Sequence, residues 1–155
     1  MPNHQHPDFN PLLEILLRFA KRSLAEKNAF LPFAAVLSSD SELSYVRGDT
    51  GDRPAGAPVL LEVLEGALRA MIKKDGLKAA GICIDIRFAT SPQEPRTDAI
   101  QVFLEHREGN VVNILLPYRK IAPGQITYGK LMAVRGEPKI FLIPGVNRGQ
   151  FRTWC

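Results

Sequence analysis

The segment AAGICIDIRF, Ala79–Phe88, constrains the fold more than any other stretch of this chain. Ile82, Ile84, Ile86 and Phe88 alternate with Gly81, Cys83, Asp85 and Arg87. Period two over this length predicts a β-strand with one apolar face and one mixed face. The chain after it reads the same way. Ile100–His106 and Val111–Tyr118 are strands around the turn Arg107-Glu108-Gly109-Asn110. Ile126–Val134 is a further strand, and the apolar Lys139–Ile143 is expected at a sheet edge.

Before this segment the period changes. Leu12, Leu16, Ala20 and Leu24 recur every four residues, with Leu13, Ile15 and Leu17 beside them. A heavily packed helix over Pro11–Lys27 follows, with Asn10 as N-cap and Pro11 at the first helical position. FLPFAAVL and Leu43–Arg47, separated by a Ser/Asp turn cluster, read as a hairpin with its first strand at Phe33–Leu37. A second helix over Pro58–Asp75 carries Leu60, Leu64, Leu68 and Met71 on one side. Lys73 and Lys74 suit its C-terminal dipole, and Gly76 its C′ position.

The element order is α-β-β-α-β-β-β-β. Helices do not alternate with single strands, which excludes a doubly wound parallel sheet. The expected fold is α+β: a single antiparallel sheet of five or six strands, with two helices packed on it and covering one face. Residues 1–10 are expected as a flexible N-terminal segment, 11–144 as a single domain and 145–155 as a polar C-terminal tail. At 155 residues the chain has the size of one domain and can bury a core without staples.

No apolar run approaches membrane-span length, and MPNHQHPDFNP has no basic-then-apolar leader pattern. A cytoplasmic location is therefore expected. Cys83 lies in a strand pattern and Cys155 ends the sequence, so a disulfide framework is not expected. One inert buried thiol and one exposed thiol are. Charge is uneven: residues 1–106 hold 12 basic and 14 acidic side chains, and residues 107–155 hold 8 and 2. A solvated face accounts for this excess, with an anionic partner as the alternative.

The loop VRGDTGDRPAG contains both an Arg-Gly-Asp word and an Asp-Thr-Gly word. Arg47 and Gly48 are the wrong flanks for a paired, dry protease aspartate, and no export pattern accompanies the adhesion tripeptide. The loop reads as a glycine-rich connection whose Asp49 and Asp52 cap local backbone. It leads toward a helix N-terminus able to hold an anion. His4, His6 and Asp8 form a terminal cluster suited to adventitious metal, while His106 stands apart at a hairpin end. A histidine-based catalytic set is not expected from that placement, and no catalytic or metal residue is assigned. GxSxG, GxxxxGK[ST] and GxGxxG are all absent, and no cofactor is expected.

Asp49 and Asp52 of the glycine-rich loop, with two further surface groups, form the candidate ligand or partner surface. Asp85 and Arg87 share a strand face, and Glu105 on a neighbouring strand is expected to join them. In LPYRKIAPGQITYGK, the residues Tyr118, Arg119, Lys120, Tyr128 and Lys130 combine cations with aromatics. This is a mixture found at interface centres and on single-stranded nucleic-acid surfaces. The modest net charge and the lack of RRM or KH signatures set nucleic acid aside as the expected partner. Apolar Leu131–Val134 and Lys139–Ile143 would leave an edge to cover, which predicts a homo-oligomer, most simply a dimer.

The first half, a helix, then PFAAVL, a second strand and a helix, resembles the opening of the cytidine-deaminase fold. That family's zinc site needs H-x-E or C-x-E at the second helix and P-C-x-x-C later. PVLLEVLEG carries neither, and no CxxC follows, so the resemblance implies no deaminase activity. FLPFAAVL, the RGDTGD loop and the LEHREG…LPYRK…YGK pattern also resemble a family of small bacterial proteins of uncharacterised function. That likeness implies a bacterial cytosolic protein and supplies no site. The element order is similar to roadblock, profilin-like and PAS-type domains, which implies a scaffolding or sensing role by analogy of fold. The expected function is a non-enzymatic interaction or ligand-sensing module. The alternatives are a small metal-assisted hydrolase using Asp49, Asp52, Asp85 or Glu105, and a weak nucleic-acid binder using the basic C-terminal third.

Overall fold

The computed structural model describes residues 6–48, 56–89 and 91–141. Helix α1 runs Phe9–Lys27, and strands β1 (Phe33–Leu37) and β2 (Leu43–Arg47) form the expected hairpin. Helix α2 (Ala57–Asp75) is followed by β3 (Ala79–Phe88), β4 (Thr97–His106), β5 (Val111–Ala122), β6 (Gln125–Tyr128) and β7 (Met132–Arg135). The strands make one antiparallel sheet in the order β2-β1-β3-β4-β5-β6, with β7 also paired to β5. An α+β domain built on a single antiparallel sheet with two helices is therefore the fold, as expected.

The helices do not share a face of the sheet. Leu12, Leu16, Ala20 and Leu24 of α1 pack on Ala35, Cys83, Val102 and Ile114. Leu64 and Leu68 of α2 pack on Ala34, Val36, Ala80 and Ile82. These are alternate residues of the same strands, so the two helices lie on opposite faces. The central strands are consequently apolar on both faces, as in β1, where all five residues are buried. Each fully buried leucine contributes about 1.5–3 kcal/mol of transfer free energy. The α1 face is tightly packed against Gly81. A Cβ there would stand 2.6 Å from Leu16 Cδ1 and 2.9 Å from Leu104 Cδ2.

Both helix C-termini close in the left-handed conformation, at Asn28 (φ 67°) and at the expected Gly76 (φ 67°). The start of α1 differs from expectation. Its N-cap is Asp8, not Asn10, and the Asp8 side chain makes no capping bond. That carboxylate is engaged elsewhere, and Phe9, buried at the first helical position, draws the start of the helix toward the core.

The expected strand Ile126–Val134 is interrupted. Tyr118 pairs with Tyr128 and Leu115 with Met132, so two intervening residues of β5 face three of the outer strand. Pro117 explains the break. Its carbonyl accepts the Gly129 N–H at 2.8 Å, but it has no N–H to return. The extra residue forms a bulge that divides the edge into β6 and β7.

Lys139–Ile143 was expected as an edge strand, and its described part, through Phe141, forms none. It lies across the α2 face, where Ile140 is buried beside Phe103. The anchor is Glu105, which is 1% exposed. Its carboxylate accepts the backbone N–H groups of Lys139 (2.8 Å), Ile140 (2.9 Å) and Phe141 (2.9 Å). Arg69 of α2 donates to the Lys139 carbonyl at 3.0 Å, completing the clamp. A side chain thus takes the amides that a partner strand would otherwise pair. Among the described residues no helix is long and apolar enough to cross a membrane.

Candidate functional site

Two regions concentrate chemistry. The first joins the start of α1 to the β4–β5 turn, ninety-eight residues apart in sequence. His6-Pro7-Asp8 and His106-Arg107-Glu108 have the same His-x-acid spacing. Each histidine Nδ1 accepts the backbone N–H two residues on, at 3.1 Å in both cases. Each Nε2 then faces the other segment's acid. His106 Nε2 is 2.8 Å from Asp8 Oδ2, and His6 Nε2 is 3.5 Å from Glu108 Oε1. The two rings stack with centroids 3.7 Å apart and planes 16° from parallel, and Phe9 meets the His106 ring edge-on.

An Nδ1 that accepts must leave the proton on Nε2, so His106 donates to Asp8 in its neutral form. This hydrogen bond holds the Asp8 carboxyl below its usual range. His106 is 1% exposed, whereas Glu108 keeps 63% of its surface. Donor atoms of His6, His106 and Glu108 all come within 4.8 Å of one another. The sequence placed His6 in a terminal segment and His106 apart from it. The structure brings them into contact. The repeated His-x-acid spacing is the signal that would have suggested the pair.

The second region is a cleft of about 390 Å³ between the C-terminal half of α1, the segment leading into β1, the end of β2 and the start of α2. Phe19, Phe30 and Phe33 form its apolar wall, with ring centroids 4.7 Å (Phe19–Phe33) and 5.8 Å (Phe30–Phe33) apart. Among the described residues, Lys27 and Arg47 are its charged lining residues and no acid lines it. The Arg47 guanidinium carbon lies 5.8 Å from the centre of the Phe19 ring. The cleft therefore offers apolar walls with cationic groups beside them, a setting for an anion with an apolar body.

The expected polar cluster divides. Asp85 and Arg87 share the α1 face of β3, as expected. Arg87 pairs with Asp98 at 3.4 Å, and Asp85 accepts the Tyr118 hydroxyl at 2.7 Å. Burial is the main reason the Asp85 carboxyl is raised, and burial with the Asp85 partner raises the Tyr118 phenol strongly. Glu105 does not join them. Register places it opposite Ala80 and Asp85 opposite Ile100, and it points to the α2 face.

The aromatic-cationic set divides by the same alternation. Tyr118 is buried in the α1 face and Tyr128 half-buried beside it, their rings 6.4 Å apart, with Lys21 Nζ 4.8 Å over Tyr128. Lys120 donates to the Asn28 carbonyl at 2.8 Å. Arg119 faces the opposite side of the strand, and Lys130 sits exposed in the bulge. No single face of the strand collects these cations. Cys83 is fully buried, and burial pushes its thiol well up. Asp49, Asp52, His4 and Cys155 lie outside the described residues. No protein-family model matches this chain, and neither a curated protein nor a solved structure matches it.

Proposed function

We infer that this protein is a non-enzymatic ligand-sensing module whose ligand is a small anion with an aromatic or branched apolar body, such as an aryl carboxylate. The observation that carries this reading is the cleft, where three phenylalanines adjoin Arg47 and Lys27. Apolar walls with few convergent polar groups are the usual form of a small-molecule site. A carboxylate seated over Phe19 would meet the Arg47 guanidinium, a planar donor matched to it. The division of the other polar sets supports a binding role over hydrolysis, because Asp85 and Glu105 lie on opposite faces and cannot act on one substrate.

The same reading takes the protein as a bacterial, cytoplasmic homodimer. Leu131 and Val134, exposed along the outer edge, support self-association. Lys139–Phe141 no longer contributes, because Glu105 already holds it. The bulge at Pro117 disfavours strand-to-strand addition at that edge, so side-chain packing is the expected mode.

The test is a fluorine-NMR screen of fluorinated aryl carboxylates against the full chain. Ligands should broaden on addition of the wild type. Arg47→Gln should weaken them about tenfold, the loss of roughly one charged hydrogen bond. The neutral amide analogues should not bind. Binding that ignores Arg47→Gln, or a screen with no hits, overturns the reading.

A further inference from the structure

We propose that His6, His106 and Glu108 form a binding site for one divalent transition-metal ion, of the zinc, cobalt or nickel class. This goes beyond the cleft reading and is independent of it. Ligands on a tetrahedral ion of this class sit about 2.0–2.2 Å from the metal, and hence about 3.4 Å from one another. His6 Nε2 and Glu108 Oε1 are already 3.5 Å apart, and His106 Nδ1 is 3.9 Å from Glu108 Oε2. Taken with one donor atom per residue, the set lies within 4.8 Å, so its widest pair must close by up to about 1.4 Å. The stacked rings, now 16° from parallel, must also tilt so that both lone pairs meet at the ion. Glu108 is exposed enough to swing, and it lies next to Gly109, which has a φ of 101° and open space where a Cβ would stand.

The support behind the ligands is the stronger point. A ligating histidine donates its other ring N–H to a carboxylate or carbonyl, which orients the ring and makes the ligating nitrogen more basic. His106 has this arrangement: Nε2 donates to Asp8 Oδ2 at 2.8 Å, leaving Nδ1 as the lone-pair nitrogen on the Glu108 side. His6 can take the same form. Its Nδ1 is 3.1 Å from the Asp8 amide nitrogen and 3.6 Å from Asp8 Oδ2. A shift of its proton from Nε2 to Nδ1 exchanges the first partner for the second and frees Nε2. Asp8 then holds both rings. Three things must yield: the Glu108 N–H contact with His106 Nδ1, the present His6 tautomer and the near-parallel stack of the two rings.

Two imidazoles and one carboxylate favour transition metals over magnesium or calcium, which prefer all-oxygen shells. Three protein ligands leave a fourth position for water or a ligand atom.

The experiment uses the full-length protein stripped with a chelator and titrated with cobalt(II), read by its visible absorption, and with zinc by calorimetry. One ion per chain is expected, with an absorption of tetrahedral or five-coordinate type. Glu108→Gln and His6→Ala, both at positions outside the core, should each weaken binding about tenfold or more, and Asp8→Asn about tenfold through the rings it holds. His106 is fully buried, so its replacement is not used as the readout. His4→Ala should leave binding unchanged. No ion bound at millimolar zinc, binding indifferent to Glu108→Gln, or binding abolished by His4→Ala alone would each overturn the site.

Discussion

Glu105 accepts the backbone N–H of Ile140 at 2.9 Å from thirty-five residues away, and it accepts those of Lys139 and Phe141 as well. One buried carboxylate thus replaces the neighbouring strand that this segment lacks. Glu105→Ala should leave three amides without partners beneath a buried isoleucine. Some of that cost is avoided if the segment detaches into water, so a loss of about 2–4 kcal/mol is expected in urea denaturation. Amide exchange at residues 139–141 should accelerate far more than in the central strands.

The same carboxyl has a signed pH effect. Burial raises it above its ordinary value, and the three amides and Arg69 only partly oppose that rise. A raised acid binds its proton more tightly in the folded state than in the unfolded one. Its contribution to stability is therefore greatest in acid and declines as pH rises from the ordinary carboxylate value through the raised one. Glu105→Gln cannot titrate. The stability of the wild type relative to Glu105→Gln should fall across that window and level off above it. A difference that rises with pH would show that the amides outweigh burial.

Gly81→Ala should destabilise the protein by about 1–3 kcal/mol, because the new methyl group meets Leu16 and Leu104 at 2.6 and 2.9 Å, with the Phe103 carbonyl at 3.3 Å. Leu16→Ala alone should cost about 2–5 kcal/mol through the cavity it leaves. The two sites share one space. The double variant should therefore be more stable than the sum of the single losses predicts, and strict additivity in a double-mutant cycle would refute this packing.

Tyr118 donates to Asp85 at 2.7 Å, and that bond lowers a carboxyl that burial raises. Tyr118→Phe removes the donor and leaves the burial. The Asp85 carboxyl, followed by carbon NMR, should titrate at a higher pH in the variant than in the wild type. Asp85→Asn should in turn let the Tyr118 phenol ionise at lower pH, since the carboxylate charge is part of what raises it.

Much of the architecture is legible in the sequence. The ranges of β1, β2 and β3 match their periodic segments, and Gly76 closes α2 where the pattern stopped. These elements are decided by local period and by residues whose backbone preference is strong. The face assignments of Asp85 and Arg87 also followed, because strand alternation is local. Helix placement did not follow. Both helices are amphipathic, and nothing in their own stripes says which face of a sheet each covers. That Ala34 and Ala35 are both buried is the trace of two covered faces.

The candidate sites divide along the same line. By itself the sequence determined the antiparallel α+β order, the buried thiol at Cys83 and the alternation that sorts Tyr118 from Arg119, because each depends on neighbours a few residues away. Tertiary structure alone decided that His6 stacks on His106, that Glu105 is a buried anchor and not a surface acid, and that Phe19, Phe30 and Arg47 share one cleft. Those pairings join segments tens of residues apart. Their geometry is set by how the helices and the C-terminal segment pack on the two sheet faces, which no local period encodes.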